Sequence, residues 1–501
     1  MKPASAVAEI AAAVEDRRRP YIEIADRIWG LAEMRYREFE SAELHAAALE
    51  AEGFRVTRGV AGMPTAFVAE AGSGGPVIGF LGEYDALAGL NQASGALECR
   101  PDPSRALNQG HGCGHHLLGT AAHLAAVVAR DHLRRHGMPG TVRFYGCPAE
   151  EAAAGKTFMA RAGLFDDLDA ALSWHPSVAN SVFMNATLAN VQAYFRFRGK
   201  SAHAALAPHL GRSALDAAEL MNVGVNYLRE HMPEQARVHF AYIDSGGPST
   251  NVIPAYAELL YTVRATRIDE ALALFERVEQ VARGAAMMTG TTVEIVFDKA
   301  VSNLLHNDTL DRVMAEQMEA LGALEVDEDE RRFATDIQAT IAGEEFANSA
   351  KHFAAALRDP QPIATGILPY RPDAARPVTG STDMGDVSWA APTTQCLTAC
   401  FAWGTGFHSW QMVAQGKTSL AHKGMLLAAK CLAATGIALA GRAEVLREAA
   451  SELRAKRGDA AYRCPIPEEI LPPPAREAVE ASAPVRLPPT SRHSPPAAPT
   501  P

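Results

Sequence analysis

The sequence predicts an α/β protein whose mostly parallel sheet, covered by helices on both faces, is interrupted by a smaller α+β unit. Residues 76–82, 141–145 and 169–174 are short apolar runs, and residues 115–136 between them have helical spacing. This alternation is typical of a parallel sheet with crossover helices. Near Leu188 the pattern changes to alternating polar and apolar residues, as in strands with one exposed face. The change indicates that a second unit begins there.

The first unit opens with helices before its strands begin. Residues 5–53 carry apolar side chains three and four positions apart, and the second predicted helix closes at Gly53. Residues 65–70 are expected to form a strand ahead of the one at 76–82. That later strand runs into Glu83-Tyr84-Asp85, at the position where α/β sheets place their working residues.

The second unit combines alternating strands with two amphipathic helices, close to the ferredoxin-like split βαβ arrangement. Its predicted strands are residues 192–198, 258–266 and 292–297, with a further strand before Asn251, and its predicted helices are residues 211–232 and 269–288. We therefore assign residues 1–187 and 300–457 to the larger unit and residues 188–299 to the inserted one. Residues 458–501 are a proline-rich extension, expected to be disordered towards its end.

The bulk composition excludes several classes of protein. The chain has 501 residues and a net charge of −11, and it has no basic patch of the kind that nucleic acids require. Seven irregularly spaced cysteines do not form a disulfide framework, which suits a reducing compartment. The N-terminus lacks the pattern of a signal peptide, and no uninterrupted apolar run is long enough to cross a membrane. We expect a cytoplasmic protein that binds neither nucleic acid nor membrane.

Four separated segments carry side chains that bind metal ions. The first places Cys113 and His115 just before a predicted helix, with glycines on both sides of the thiol. Glycines let the backbone bend around an ion, and a helix N-terminus lowers the pKa of a thiol. Thiolate and imidazole together suit zinc, and manganese tolerates such a mixed set. His111 and His116 flank this pair, and we expect them to hydrogen-bond behind the ligands rather than to bind an ion.

The other three segments supply carboxylates and two further imidazoles. Glu150-Glu151 follows a buried strand, so one carboxylate can bind an ion while its neighbour accepts a proton from water. A bare Glu-Glu pair is more often a solvated turn, but here apolar strand precedes it and small residues follow. His175 closes a strand before Pro176, and His408 follows a Gly-Thr-Gly turn. Their joint occurrence at predicted strand ends predicts a two-metal hydrolytic site.

The inserted unit contributes candidates of another kind. His203 leaves a strand towards a helix and would be suited to stabilising an oxyanion, although a capping or surface histidine is an equal alternative. Arg264 would clamp a substrate carboxylate through two hydrogen bonds. On sequence alone, an isolated strand arginine is more often an ordinary surface residue.

Together these segments resemble the M20 family of two-metal aminopeptidases, carboxypeptidases and amidohydrolases, over about residues 20–470. The pattern of Cys-x-His, then Glu-Glu, then a histidine 24 positions after the second glutamate, then a C-terminal histidine, matches the branch that cleaves N-acyl amino acids. The segments Gly82–Leu87 and Gly380–Trp389 add to the likeness. The resemblance implies a Zn-peptidase-like catalytic domain with an inserted dimerisation domain, and aromatic-acyl amino acids such as p-aminobenzoyl-glutamate as substrates.

The resemblance also implies a role for each matching residue. Two divalent ions, Mn²⁺ or Zn²⁺, would be held by Cys113, His115, Glu151, His175 and His408. Glu150 would be the general base, Asp85 would support the ligands from behind, and His203 would reach the site of the partner subunit. Substrate would be bound by Asn251, Arg264, Ser381 and Thr382. The assembly would be a homodimer or a heteromer with a related subunit.

Two departures from the family pattern concern the surroundings of the ligands. His116 stands where asparagine is usual, and Ala152-Ala153-Ala154 stand where glycines are common. Because Cβ atoms disfavour positive φ, we expect the loop after Glu151 to follow a different path. Two alternative functions stay open at this point. Cys113 would be the nucleophile of a metal-free thiol amidase, or the chain would be a non-catalytic partner of a catalytic subunit.

Overall fold

A computed structural model describes residues 3–105, 107–350, 361–374, 379–458 and 461–472. The strands are β1 Arg55–Arg58, β2 Phe67–Ser73, β3 Val77–Glu83, β4 Leu87–Ala88, β5 Gln109–Gly110, β6 Gly140–Cys147, β7 Ala170–Ser177, β8 Ser181–Val182, β9 Ala189–Arg198, β10 Arg237–Asp244, β11 Tyr256–Ala265, β12 Thr292–Val301 and β13 Thr393–Ala399. The helices are α1 Pro3–Asp16, α2 Arg18–Leu31, α3 Phe39–Ala51, α4 His115–Arg135, α5 Glu150–Ala153, α6 Gly155–Arg161, α7 Ala214–Leu228, α8 Ile268–Thr289, α9 Asp308–Leu321, α10 Glu328–Gln338, α11 Gly343–Ala350, α12 Met384–Ala390, α13 Trp410–Gln415, α14 Ser419–Ala440 and α15 Ala443–Arg457.

The larger unit is built on a seven-stranded sheet in the order β1-β2-β6-β3-β7-β13-β8. Its centre is parallel, since β6, β3, β7 and β13 all run in one direction. Towards the edges, β2 pairs antiparallel with β6 and with β1, and β8 pairs antiparallel with β13. The predicted α/β class with a mostly parallel sheet is confirmed.

Helices cover both faces of this sheet because successive residues of each strand point to opposite sides. Phe80 and Phe144 pack with α4 and α14 in one core, whereas Leu81 and Tyr145 pack with α6 in another. The helix α4 lies unusually close to β3, since a Cβ on Gly119 would come 2.5 Å from the carbonyl oxygen of Glu83. Glycine at this position therefore fixes the start of α4 against the end of β3.

The smaller unit is a four-stranded antiparallel sheet in the order β10-β11-β9-β12, and its chain order β9-α7-β10-β11-α8-β12 is that of a ferredoxin-like unit. The strand predicted before Asn251 is β10. The helix predicted over residues 211–232 is shorter, because the Ser213 side chain caps α7 by accepting a hydrogen bond from Asp216 N.

The last strand of the smaller unit is longer than the sequence pattern predicts. It was expected to end at residue 297, but β12 continues to Val301. The register shifts between Phe297 and Lys299, so the alternation of inward and outward residues breaks there although the strand continues.

The helix α14 is long and apolar enough to cross a membrane by length and composition alone. Most of its apolar stretch is buried, and it packs against α4 and β13. After α15, residues 461–472 pack back on the larger unit, with Ile466 buried and the Tyr462 hydroxyl donating to Asp386 Oδ1 at 2.9 Å. The disorder predicted for the end of the proline-rich extension lies outside the described residues.

Candidate active site

The predicted ligands converge at the carboxyl ends of neighbouring strands. The strands β3, β6 and β7 lie side by side and end together. Glu150 and Glu151 follow β6 in the short helix α5, and His175 lies near the end of β7. His408 follows β13, and its backbone N–H donates to the carbonyl of Gly112 at 2.8 Å, which joins it to the Cys113 segment.

The cysteine sulfur is shared by two clusters of potential ligands. The ligand atoms of Cys113, His115 and His175 all lie within 4.8 Å of one another, and so do those of Cys113, Glu151 and His408. Cys113 Sγ lies 3.4 Å from His175 Nε2, and His408 Nε2 lies 3.3 Å from Glu151 Oε1. The five side chains predicted as ligands therefore form two adjacent clusters that meet at one thiol.

Several atoms in these clusters are buried without a hydrogen-bond partner among the described residues. They include His115 Nε2 and Glu151 Oε1. A buried polar atom without a partner is costly unless something outside the protein satisfies it. One thiol, three imidazoles and a carboxylate are a donor set that suits zinc or manganese. The residues present thus fit the two divalent ions expected from the sequence.

Asp85 connects the two clusters from behind, as expected. Its Oδ1 is 2.8 Å from His115 Nδ1, and its Oδ2 accepts a hydrogen bond from Glu151 N at 2.8 Å. A carboxylate on Nδ1 fixes the ring orientation and leaves Nε2 free to bind an ion. One buried side chain therefore orients a ligand in each of two segments.

His111 and His116 lie beside the site but hydrogen-bond elsewhere. His111 Nε2 is 3.1 Å from the carbonyl oxygen of Ile28, and His116 Nε2 is 2.8 Å from that of Gly416. The described hydrogen bonds of both rings are thus to backbone carbonyls of distant segments rather than to ligands. The expectation that they support the ligands directly is not met, because both rings point towards helix α2 and the α13–α14 turn.

Glu83 is a member of the site that motif spacing did not single out. Its Oε2 lies 3.3 Å from His115 Nε2, and Glu83, His115 and Glu150 form a third group of potential ligands. The only sequence signal was its place at the end of β3, within the segment Glu83-Tyr84-Asp85. Spacing rules missed it because it belongs to a different strand from the other ligands.

A buried lysine neutralises the acidic side of the site. Lys156 Nζ is 2.7 Å from Glu83 Oε1 and also pairs with Asp383, whose other oxygen accepts the Lys156 backbone N–H at 2.7 Å. All three side chains are almost completely buried. Although burial alone would lower the pKa of Lys156, the carboxylates of Asp383 and Glu83 hold it well above its usual value. The lysine is therefore charged.

Electrostatics distinguish the two adjacent glutamates. Burial, with the negative charges of Glu83 and Glu151, raises the pKa of Glu150 well above its usual value. For Glu151, burial acts in the same direction, but the imidazoles of His408 and His115 outweigh it and lower the pKa. Neighbouring carboxylates held at different pKa values are suited to different roles, one as proton acceptor and one as ligand.

The loop that carries these glutamates is strained at both ends. Ala149 and Ala154 have φ of 59° and 62°, in the left-handed region that disfavours side chains. The sequence predicted a changed path where glycine is usual, yet Ala154 adopts a positive φ in this position. Buried Glu38 helps to hold the loop, because its Oε1 accepts the backbone N–H of Ala149 at 2.9 Å.

Two cavities open on either side of Glu150, Glu151 and His408. One, of about 350 Å³, contains Cys113 and His175 and is walled by Phe183, Leu397 and Phe407. The other, of about 400 Å³, is polar and reaches the inserted unit; its wall includes Asn190, Gln192, Thr262, Arg264 and Lys299. The segment Gly380–Thr382 borders both cavities.

The predicted substrate-binding residues divide into two groups. Arg264, Ser381 and Thr382 border the polar cavity, and an Arg264 guanidinium N–H donates to Ser381 Oγ at 2.7 Å. His203 and Asn251 are exposed and are not among the residues that wall either cavity. They lie next to each other, since His203 bridges to Val252.

Comparisons with known proteins agree with this architecture. Residues 186–287 match the family model of the M20 peptidase dimerisation domain. The chain is 49% identical to one of the two subunits of the p-aminobenzoyl-glutamate hydrolase of Escherichia coli strain K12, over 93% of this chain and 98% of the relative. It is 28% identical to the other subunit of that hydrolase, over 45% of this chain and 52% of the relative.

A solved structure extends the likeness to the whole fold. A dinuclear metal binding peptidase of the M20 family from Bacillus subtilis superposes with a TM-score of 0.55 at 18% identity, covering 85% of this chain and 99% of that one. At this identity the match concerns the fold alone. With the near full-length match to a curated relative, it identifies the chain as a member of the M20 family of peptidases and amidohydrolases.

Proposed function

We propose that this protein is a two-metal amidohydrolase that cleaves the amide between an aromatic acyl group and an amino acid, with p-aminobenzoyl-glutamate as the model substrate. The observation that carries the proposal is the pair of cavities that meet at Glu150, Glu151 and His408. An apolar cavity walled by Phe183 and Phe407 suits an aromatic acyl group. A polar cavity containing Arg264 suits the carboxylate of an amino acid.

The protein's own groups account for the proton transfers of amide hydrolysis. Glu150 takes a proton from water as its oxygen bonds to the carbonyl carbon, and it returns that proton to the leaving nitrogen as the carbon–nitrogen bond breaks. The raised pKa of Glu150 suits both tasks, since a base near neutrality also releases its proton readily. Ions held by Cys113 and its neighbouring ligands would supply the Lewis acidity that makes water acidic at neutral pH.

The alternative of a metal-free thiol amidase is disfavoured by the surroundings of the cysteine. Burial, reinforced by the nearby Glu151 carboxylate, raises the pKa of the Cys113 thiol well above its usual value. A thiol nucleophile needs the opposite shift, because only the thiolate attacks. Burial also lowers the pKa of His175 to about 4, so the ring that touches the sulfur is neutral and suited to binding an ion.

We further propose that the protein acts as a dimer through its inserted unit. The strand β10 is the edge of its sheet, so its outer backbone groups are unpaired within the sheet. Large apolar side chains are exposed on this strand and on the adjacent helix, namely Leu220, Val223, Tyr227, Phe240, Tyr242 and Ile243. A monomer rarely leaves such a surface uncovered. The partner is a second copy; the alternative is a related but different chain, because the bacterial hydrolase has two subunits that both resemble this protein.

In such a dimer, His203 and Asn251 would reach the partner's site rather than their own. Both are exposed, and Leu206 and Val252 beside them are exposed apolar side chains. A histidine delivered in this way would donate a hydrogen bond to the developing oxyanion.

The proposed function is tested with Glu150→Gln, which keeps the size of the side chain and removes the base. We expect kcat for p-aminobenzoyl-glutamate to fall by about 10²- to 10⁴-fold, while bound manganese or zinc stays near two ions per chain by elemental analysis. The matched control is Glu345→Gln, an exposed glutamate on α11, which should leave kcat unchanged. Chelator treatment should abolish activity, and alkylation-sensitive activity that survives chelation would instead support the thiol amidase.

A further inference from the structure

One face of the inserted sheet forms a wall of the polar cavity. In one row across the strands, Arg264 lies opposite Asn190, and in the next row Thr262 and Lys299 both lie opposite Gln192. Residues two apart on a strand share a face, and all five of these residues border the cavity. The other face packs on α7 and α8. Two cationic side chains therefore stand on the same wall, beside Glu151.

The β-bulge in β12 is what puts Lys299 on this wall. Phe297 pairs with Ala193 and packs on Phe275 of α8, on the helix side of the sheet. In a regular strand, residue 298 would then face the cavity and Lys299 would face the helices. The extra residue at Asp298 resets the alternation, so Lys299 pairs with Gln192 on the cavity side. Bulges often re-aim a side chain next to a functional site.

The two cations occupy different distances from the reacting groups. Arg264 is hydrogen-bonded to Ser381, which borders both cavities and so marks their junction. Lys299 borders the polar cavity alone. Their Cα atoms are separated by two strand spacings and one row, about 12 Å, so long side chains can approach two ends of one small ligand. In an acyl amino acid the α-carboxylate is close to the amide, whereas a side-chain carboxylate lies farther away.

Burial strengthens the attraction of this wall for an anionic ligand. Lys299 is 7% exposed, and Arg264 is half-buried. Burial lowers the pKa of Arg264, and among the described residues no carboxylate lies within ion-pair distance of its guanidinium. A cation removed from water gains most from an anion that arrives with the substrate.

We propose that Lys299 selects acyl amino acids whose side chain carries a carboxylate, that is, acyl derivatives of glutamate or aspartate, by pairing with that second carboxylate while Arg264 holds the first. This selectivity rests on the proposed function, since it concerns the amino acid half of the same substrate. It makes Lys299 a specificity-determining residue for the leaving group.

The test compares p-aminobenzoyl-glutamate with p-aminobenzoyl-glutamine, which has the same shape but no side-chain charge. We expect the parent to prefer the glutamate substrate in kcat/KM by about tenfold to a hundredfold, as for a hydrogen bond between charged groups. Lys299→Met should bring the ratio of the two kcat/KM values close to one, and Lys299→Arg should keep most of the preference. A parent that hydrolyses both substrates equally well would overturn the inference.

Arg264→Met is the matched control, because the α-carboxylate is common to both substrates. It should lower kcat/KM for both by a similar factor and leave their ratio in place. If Arg264→Met removes the preference and Lys299→Met does not, the assignment of Lys299 is wrong. Thermal unfolding of each variant shows whether the protein is folded.

A binding measurement separates this inference from the proposed function. Calorimetric titration with free glutamate and free glutamine needs no turnover. The parent should bind glutamate more tightly, and Lys299→Met should bind the two alike. If neither acyl substrate is hydrolysed but glutamate is still preferred through Lys299, only the proposed reaction fails. If acyl substrates are hydrolysed but the titration shows no preference, only the role of Lys299 fails.

Discussion

The two units of this protein use buried and exposed surface in opposite ways. The seven-stranded unit buries charged and titratable groups, among them Lys156, Glu83 and His115. The four-stranded unit leaves large apolar side chains such as Tyr227 and Phe240 exposed, and its histidines lie at the surface. The difference separates two tasks. Chemistry needs polar groups held rigidly away from water, whereas association and substrate selection need surface that is still uncovered.

The largest effect is expected from the buried charges of the seven-stranded unit. Lys156→Met leaves Glu83 and Asp383 without their shared cation, and removing one partner of a buried pair costs about 3–5 kcal/mol. We expect the free energy of unfolding in urea to fall by that amount. In the inserted unit, Arg198→Met removes an exposed pair with Glu294 and should cost less than about 1 kcal/mol. Equal losses would show that the cluster around Lys156 is not specially stabilised.

The next effect concerns the exposed side of the inserted unit. His203→Ala should reduce kcat by about 10²- to 10³-fold, as for loss of an oxyanion donor. Mixed with Glu150→Gln protein under conditions of subunit exchange, it should regain about a quarter of the parental activity, since hybrid dimers then contain one complete site. Each variant incubated with itself is the control. A mixture with no more activity than its components would place His203 in the site of its own chain or outside catalysis.

The smallest effect is the acid sensitivity of the seven-stranded unit. His45 and His123 are buried with their Nδ1 atoms 3.1 Å apart, and burial lowers the pKa of His45 to about 3 and that of His123 well below its usual value. Because these folded-state pKa values lie below the unfolded value, their stabilisation is complete above about pH 6.5 and is lost as the pH falls towards 3.

The corresponding measurement is the free energy of unfolding against pH, in chelator to remove the pH dependence of metal binding. At pH 5, His45 alone should account for a loss of about 2 kcal/mol relative to pH 7. His45→Gln should be less stable at pH 7 but should show a flatter dependence between pH 7 and pH 5. His239→Gln, an exposed histidine of the inserted unit, is the control and should keep the parental slope.

Much of the site could be predicted because its ligands lie at strand ends that the apolar pattern marks. Cys113, His175 and His408 are far apart in sequence, yet the parallel order of the strands brings their segments to one edge of the sheet. Glu83 and Lys156 could not be predicted in the same way. Their pairing depends on which strands and helices are neighbours in space, and nothing in the local spacing of either residue records it.

The inserted unit shows a different limit. Alternation predicted its strands, but it placed the end of the last one at residue 297 because a bulge interrupts the alternation without ending the strand. The side chain that follows the bulge, Lys299, was therefore not considered. His111 and His116 illustrate the opposite error: their position beside Cys113 suggested a part in the site, but in the folded chain their rings face the backbone of Ile28 and Gly416.

The chain enters and leaves the inserted unit through two strands that pair directly with each other, with Asn190 opposite Val301. The unit is consequently a cassette, attached at one seam, that carries Arg264 and Lys299 while the apolar cavity belongs to the host. Exchange of this cassette between related proteins is a route by which preference for the amino acid half of a substrate can be inherited separately from preference for the acyl half.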